Sequence, residues 1–287
     1  MTYQKLAVAV FLALSGIVVL AQSSNVASGH IDLPVAAPAT NNAISITDMD
    51  ADIKVATDLV NAGQFLEARV KLDGLLGHAP ESVRPRAEDI LGRVHIELLM
   101  TPRAMPEKIQ HSIKSGETLG RLARQHGTTE ELIQKSNGIT DKSLIKVGYR
   151  LRICTGKFQI RVSTSRNEMV VTMNGRFFKR YRVGTGKAGT TPKGEFLVQD
   201  RVIEPVWWRS DGKAVPFGDK ENILGTRWLS FKSADTNNDV RGYGIHGTWD
   251  ESTIGQAVSS GCVRMRNADV EELFTYIPAG TLVIVEE

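Results

Sequence analysis

Hydrophobic positions change their spacing along this chain. From residue 46 to 100 they recur every three to four positions, the period of an amphipathic helix. Ile53, Ala56, Leu59 and Val60 form one such face, ending near Gly63. Phe65, Ala68, Leu72, Leu75 and Leu76 form a second, ending near Gly77, and Val83, Ala87, Ile90, Leu91, Val94 and Leu98 a third. Pro85 falls in the first turn of that third helix, where a missing N–H does no harm. Residues 108–154 then read as strand, helix, helix, strand. Residues 109–114 alternate; Leu119, Leu122 and Ala123 predict a helix ended by His126-Gly127; Thr128 with Glu131 predicts a capping box for a second helix, ended by Asn137-Gly138; residues 145–153 predict the closing strand. From Lys157 a period of two takes over. Residues 158–162, 169–173, 176–178, 181–183, 194–198 and 281–285 predict strands, with Asn174-Gly175 as a hairpin turn. Residues 268–276 predict one helix, with Val270, Leu273 and Phe274 inward. Residues 157–287 therefore predict a mainly-β, β-sandwich-like domain with one helix on its C-terminal side.

The first 45 residues have neither period. Lys5 precedes an apolar run, 6–21, broken by Ser15 and Gly16 and ended by the small residue Ala21. Its length, below the roughly 20 residues of a comfortable membrane span, predicts a signal peptide over 1–21, cleaved before Gln22. Retention as an inner-membrane anchor through residues 6–21 is the other reading. Either implies an exported protein of the periplasm or cell wall. No cysteine follows the run, which excludes a lipoprotein anchor. Residues 22–45, rich in Ser, Ala, Asn and Pro, predict a flexible linker.

Composition removes several function classes. Net charge is +3 with no Lys/Arg block, which excludes a nucleic-acid partner. Two cysteines, Cys154 and Cys262, are too few for a disulfide scaffold, and no Cys/His group has zinc spacing. No metal and no cofactor is expected. A single Cys154–Cys262 disulfide is the alternative use of the pair.

Chemistry concentrates in two glycine-bearing turns, His246-Gly247-Thr248 and Ser259-Ser260-Gly261-Cys262-Val263-Arg264-Met265. From Lys157 onward these hold the one histidine and the one cysteine. A thiol is a few per cent thiolate at neutral pH, so a nucleophilic Cys262 needs a base, and His246 is the candidate. The imidazole must be held in one tautomer, which the Gly247 carbonyl can do. Gly261 lets a substrate carbonyl approach, backbone N–H groups of the turn offer an oxyanion site, and Arg264 adds positive charge. Taken singly, a lone cysteine is usually a buried hydrophobe and a lone histidine usually structural.

Three stretches resemble known families. Residues 62–69 resemble the turn of a tetratricopeptide-type hairpin, so 46–100 reads as a small helical segment, either a spacer packed on a neighbour or a surface for a protein partner. Ile113, Gly116-Glu117-Thr118-Leu119, Leu132, Asn137 and Val147-Gly148-Tyr149 with Leu151 and Ile153 resemble a LysM domain over 108–154. The resemblance implies glycan binding through Gly116, Glu117, Thr118 and residues 138–141. Gly184-Thr185-Gly186, Thr191-Pro192, Gly194, Phe196, Asn222-Ile223-Leu224-Gly225, Gly244 to Thr248 and Ser259 to Met265 resemble the L,D-transpeptidase family of YkuD or ErfK type, over 157–287. That resemblance implies peptidoglycan stem peptides and glycan strands as partners. It implies Cys262 as nucleophile, His246 as base and acid, Gly247 as orienting carbonyl, and Gly261, Ser259, Ser260 and Arg264 at the oxyanion and substrate. A thioester would be resolved by an amine to give a 3→3 cross-link or attachment of a protein, and carbapenem-type β-lactams would acylate the cysteine. Ser260 stands where the family usually has histidine, leaving His246 as the available imidazole. An L,D-carboxypeptidase and a non-catalytic wall-binding protein are the alternatives. Trp207, Trp208 and Trp228 are expected in the core, with a substrate cleft as the other reading.

Overall fold

The computed structural model describes residues 46–141, 145–235 and 240–287. The expected signal or anchor (1–21) and linker (22–45) lie outside the described residues. Three helices come first, α1 (Ile46–Asn61), α2 (Phe65–Leu76) and α3 (Arg84–Met100). Their predicted apolar faces are buried at Ala56, Leu72, Ala87, Leu91, Val94 and Leu98. Among the described residues no helix is long and apolar enough to cross a membrane.

A βααβ unit follows: β1 (Lys108–Ser112), α4 (Leu119–His126), α5 (Glu130–Asn137) and β2 (Arg150–Cys154), with β1 antiparallel to β2. Two boundaries differ from expectation. The cap of α5 is Thr129, whose side chain accepts the Leu132 N–H, while the Thr128 hydroxyl is buried without a partner. Extended backbone at Thr129 (φ −112°, ψ 154°) is the N-cap conformation, and it decides between two adjacent threonines. The closing strand starts at Arg150 because Gly148, at φ +84°, makes a turn before it. Asn137 joins α5 to β2: its amide accepts the Arg152 N–H at 2.7 Å and donates to the Arg152 and Ile133 carbonyls at 2.8 and 2.7 Å.

The remainder is mainly β. Its strands are β3 (Phe158–Ser163), β4 (Glu168–Met173), β5 (Arg176–Arg182), β6 (Thr185–Gly186), β7 (Gly194–Ile203), β8 (Trp207–Trp208), β9 (Ala214–Val215), β10 (Arg227–Ser233), β11 (Gly244–His246), β12 (Ala257–Ser259), β13 (Val263–Arg264) and β14 (Leu282–Glu286). Helix α6 (Asn267–Tyr276) lies between the last two. Eight strands form one mixed sheet in the order β13-β11-β10-β7-β14-β3-β4-β5. The alternation in sequence becomes alternation in burial along β4 and β14. Phe158, Phe178 and Tyr276, with ring centroids 5.1–5.3 Å apart, pack α6 against the sheet.

All three parts share one core. Ala68, Val94, Leu98 and Leu99, then Leu132 and Cys154, lie in the same buried cluster as Phe178, Phe196, Leu229 and Ile245. Helix α3 covers the sheet edge at β5: His95 Nδ1 donates to the Phe178 carbonyl at 2.8 Å, its ring stacks on Phe178 at 5.0 Å, and Glu88 pairs with Arg180 at 2.7 Å. The helical segment thus packs on its neighbour and blunts an open strand edge. Lys108 Nζ donates to the Leu98 and Thr101 carbonyls at 2.6 and 2.7 Å, closing the C-terminal end of α3, and burial lowers its pKa to about 8.

All four tryptophans lie in the mainly-β part, and Asn137 does not. Replacing Asn137 by Ala leaves partly buried backbone groups unpaired, a loss of about 2 kcal/mol. With one shared core, tryptophan fluorescence in a urea titration should show that loss as a single transition at lower midpoint. An unchanged midpoint would mean that the two parts unfold independently.

Candidate active site

The site grows from two adjacent strands. β11 pairs antiparallel with β10, placing Trp228 opposite His246, and parallel with β13, placing Arg264 beside it. Cys262 is the residue just before β13, so this parallel pairing brings the thiol to the histidine strand. Both line one cavity of about 810 Å³, together with Ser259, Ser260, Arg264, Leu224 and Tyr243.

His246 is buried, and its Nδ1 lies 2.6 Å from the Gly247 carbonyl oxygen. A carbonyl can only accept, so Nδ1 carries the proton and Nε2 keeps its lone pair. The Leu224 carbonyl also faces the ring. Burial, opposed by the Gly247 and Leu224 carbonyls and aided by the Arg264 charge, lowers the imidazole pKa to about 4. Burial pushes the half-buried Cys262 thiol up, partly offset by the Gly244 N–H and Arg264. Its Sγ also reaches the Gly242 carbonyl at 3.5 Å. Both shifts favour a neutral thiol and a neutral imidazole in one cavity at pH 7. Both cysteines are free, and Cys154 is buried with its pKa raised to about 11, which sets the disulfide alternative aside.

The nucleophile turn is tied by its own residues. Ser259 Oγ donates to the Cys262 carbonyl at 2.7 Å and accepts the Gly261 N–H at 3.0 Å. The Gly261 N–H is therefore engaged within the turn, while Ser260 stands exposed at the cavity. Gly261 sits at φ +132°, where a Cβ would strike the Tyr243 ring and the Thr190 carbonyl, so only glycine fits. The Gly-Thr-Gly stretch backs this turn: β6 runs parallel to β12, and Gly184 exchanges two backbone hydrogen bonds with Arg264. Arg264 Nε is buried without a partner among the described residues.

The tryptophans follow the cleft reading. Trp207, Trp208 and Trp228 line the cavity, and Trp208 is 71% exposed, which overturns the expectation of core packing. Trp207 and Trp208 sit on the two-residue strand β8, and Trp228 near the start of β10 opposite His246, so they face the cavity. Asn222 holds that wall: its amide donates to the Pro205 and Val215 carbonyls at 2.9 and 3.0 Å and accepts the Leu224 N–H at 2.9 Å. Asn267 Oδ1 accepts the Thr226 N–H and fills the space where side chains at Gly225 and Gly247 would go. The proposed glycan residues lie in the βααβ unit, away from the cavity. Gly116 (φ +79°) makes the turn and Thr118 caps α4. Glu117 accepts the Lys114 N–H at 2.8 Å and pairs with His111 Nε2 at 2.7 Å. Among the described residues no group of His, Cys, Asp and Glu is arranged to hold a metal ion.

These shifts set a pH dependence. Alkylation of Cys262 by iodoacetamide should keep rising with pH past 8, with no reactive plateau between pH 5 and 7, on the order expected for a thiol whose anion is disfavoured. Mass mapping should find Cys154 unmodified in the native protein. A pH-independent fast reaction below pH 7 would contradict a neutral pair.

The family model for the L,D-transpeptidase catalytic domain matches residues 157–285, and the LysM domain model matches residues 111–153. The Bacillus licheniformis protein named as L,D-transpeptidase YkuD is 32% identical over 184 residues, covering 62% of this chain and 98% of that relative. The Bacillus subtilis protein named as L,D-transpeptidase YqjB is 39% identical over 127 residues, covering 44% of this chain and 69% of that one. A crystal structure of L,D-transpeptidase 3 from Mycobacterium tuberculosis, with a faropenem-derived adduct, aligns with a TM-score of 0.38 at 20% identity. That alignment spans 50% of this chain and 66% of that one. Being 32% identical to a relative of which it covers 98%, and matched by the family's catalytic-domain model, this chain belongs to the L,D-transpeptidase family.

Proposed function

We propose that this protein is an exported peptidoglycan L,D-transpeptidase that works through a Cys262 thioester. The observation that carries the reading is the Nδ1–Gly247 hydrogen bond. It leaves Nε2 of a neutral imidazole as proton acceptor in the cavity that holds the thiol. Cys262 Sγ attacks the carbonyl between the third residue of a stem tetrapeptide and its terminal D-Ala, and His246 takes the thiol proton. Charge develops on the carbonyl oxygen as attack proceeds. The Cys262 N–H and the positive charge of Arg264, a residue that lines the cavity, stabilise it, while Gly261 gives the close approach. Collapse breaks the C–N bond, the proton passes from His246 to the departing amine, and D-Ala leaves. An amine of a neighbouring stem then attacks the thioester, gives a proton to His246, and the thiol is restored. The product is a 3→3 cross-link, or an attached protein where a protein supplies the amine. Ser259 acts on the turn that presents the nucleophile, and Ser260 lines the substrate path. The LysM module binds glycan strands, with Gly116, Glu117 and Thr118 shaping the binding turn. Carbapenem-type β-lactams acylate Cys262.

Incubation with disaccharide-tetrapeptides and mass spectrometry tests the reaction. Cross-linked dimer with loss of D-Ala is expected; tripeptide monomer alone would indicate a carboxypeptidase. Absence of both products and of a carbapenem adduct would leave a wall-binding protein. Cys262→Ala should abolish product and adduct, and His246→Gln should lower kcat/KM by about 10²- to 10⁴-fold, the range of a lost general base. With Nε2 free above pH about 4, the acid limb of kcat/KM should lie well below the 6.5 of an ordinary imidazole.

A further inference from the structure

The contacts between the LysM module and the catalytic domain are those of a fixed joint. The connection between β2 and β3 is three residues long, 155–157, and its Thr155 N–H donates to the carbonyl of Glu107, just ahead of β1, at 2.9 Å, holding the connection to the βααβ unit. Thr129, the cap of α5, donates its hydroxyl proton to the Thr275 carbonyl at the end of α6. Arg201 of β7 completes the joint. Its guanidinium lies 4.0 Å over the Phe274 ring, donates to the Phe274 carbonyl at 2.5 Å and pairs with Glu131 of α5 at 3.3 Å. Leu132 and Cys154 enter the core that the sheet builds. The next residue along β7, Val202, lines the Cys262 cavity. One strand therefore carries both the joint and a wall of the reaction site.

We propose that this rigid joint makes the enzyme selective for polymeric glycan over free muropeptides, with Arg201 as the positioning residue that sets the interval between a LysM-bound sugar and the stem at Cys262. The inference rests on the transpeptidase reading and adds a substrate class to it. A flexible tether raises the effective concentration of every stem within reach, and its benefit grows gradually with strand length. Two sites on a rigid body gain nothing until the strand spans both, and then gain together.

The first test uses the wild-type protein and stem-bearing glycan strands of graded length. KM per stem should fall abruptly at one threshold length, with kcat unchanged. A smooth fall, or none, overturns the proposal. Nitrogen-15 relaxation should give one tumbling time for the LysM and catalytic residues; two separate times overturn it as well. In the second test, Thr129→Val with Arg201→Met should raise KM for long strands about fivefold or more, the loss expected when two joined sites become independent. Turnover of disaccharide-tetrapeptide should stay within twofold of wild type. An unchanged ratio of long-strand to short-substrate KM contradicts the assignment of Arg201. If the double variant does not fold, the wild-type length series decides alone. Absence of product from disaccharide-tetrapeptide would count against the transpeptidase reading itself, whereas product with a smooth length dependence counts against the fixed interval.

Discussion

The parallel pairing of β11 with β13 is the constraint on which the site depends. It sets Ile245 beside Val263 and His246 beside Arg264, and so leaves Cys262 lining the same cavity as His246. Strands this short do not hold register by themselves. Gly184 exchanges hydrogen bonds with Arg264, the Met265 N–H donates to the His246 carbonyl, and Ile245 and Val263 are wholly buried. A shift of one residue would send these side chains to the opposite face. Glycine is required where other side chains press on the strands: at Gly247 against the Asn267 amide, and at Gly261 against the Tyr243 ring.

The same burial that fixes the register sets the chemistry. It disfavours charge on both His246 and Cys262, so the pair rests neutral and the proton moves as the sulfur attacks. Charge created in that step meets groups already in place, the carbonyl of Gly247 on Nδ1 and the guanidinium of Arg264. Preorganised dipoles of this kind stabilise a transition state more than a solvated ground state. A carbonyl serves as the orienting group where other cysteine and serine enzymes use a side chain.

Much of this was legible in the sequence because the decisive contacts are local. Gly247 follows His246, and Ser259 through Cys262 tie one turn, so contiguous motifs carried both the resemblance and the geometry. The helices of 46–100 and the βααβ unit were legible for the same reason, since helical periodicity and caps act within a few residues. Long-range contacts were not legible. Trp228 meets His246 across a strand pair, Asn267 reaches Gly247 from α6, and Arg201 meets Glu131 across seventy residues. Aromatic spacing says that a tryptophan wants apolar surroundings and does not say whether a cleft or a core provides them. Thr128 and Thr129 both satisfy a capping pattern, and backbone dihedrals made the choice. Nor does sequence show that side chains from three segments share a common core with the LysM module.

The central claim is that His246 rests as a neutral imidazole with its proton on Nδ1. Nitrogen-15 chemical shifts of the histidine ring in Cys262→Ala protein test it most directly, because they distinguish both tautomers and the cation. The account predicts Nδ1–H imidazole signals for His246 that persist unchanged from pH 8 to about 5.5, with protonation starting below, as a pKa of about 4 requires. A protonated ring at pH 7, or the Nε2–H tautomer, would contradict it.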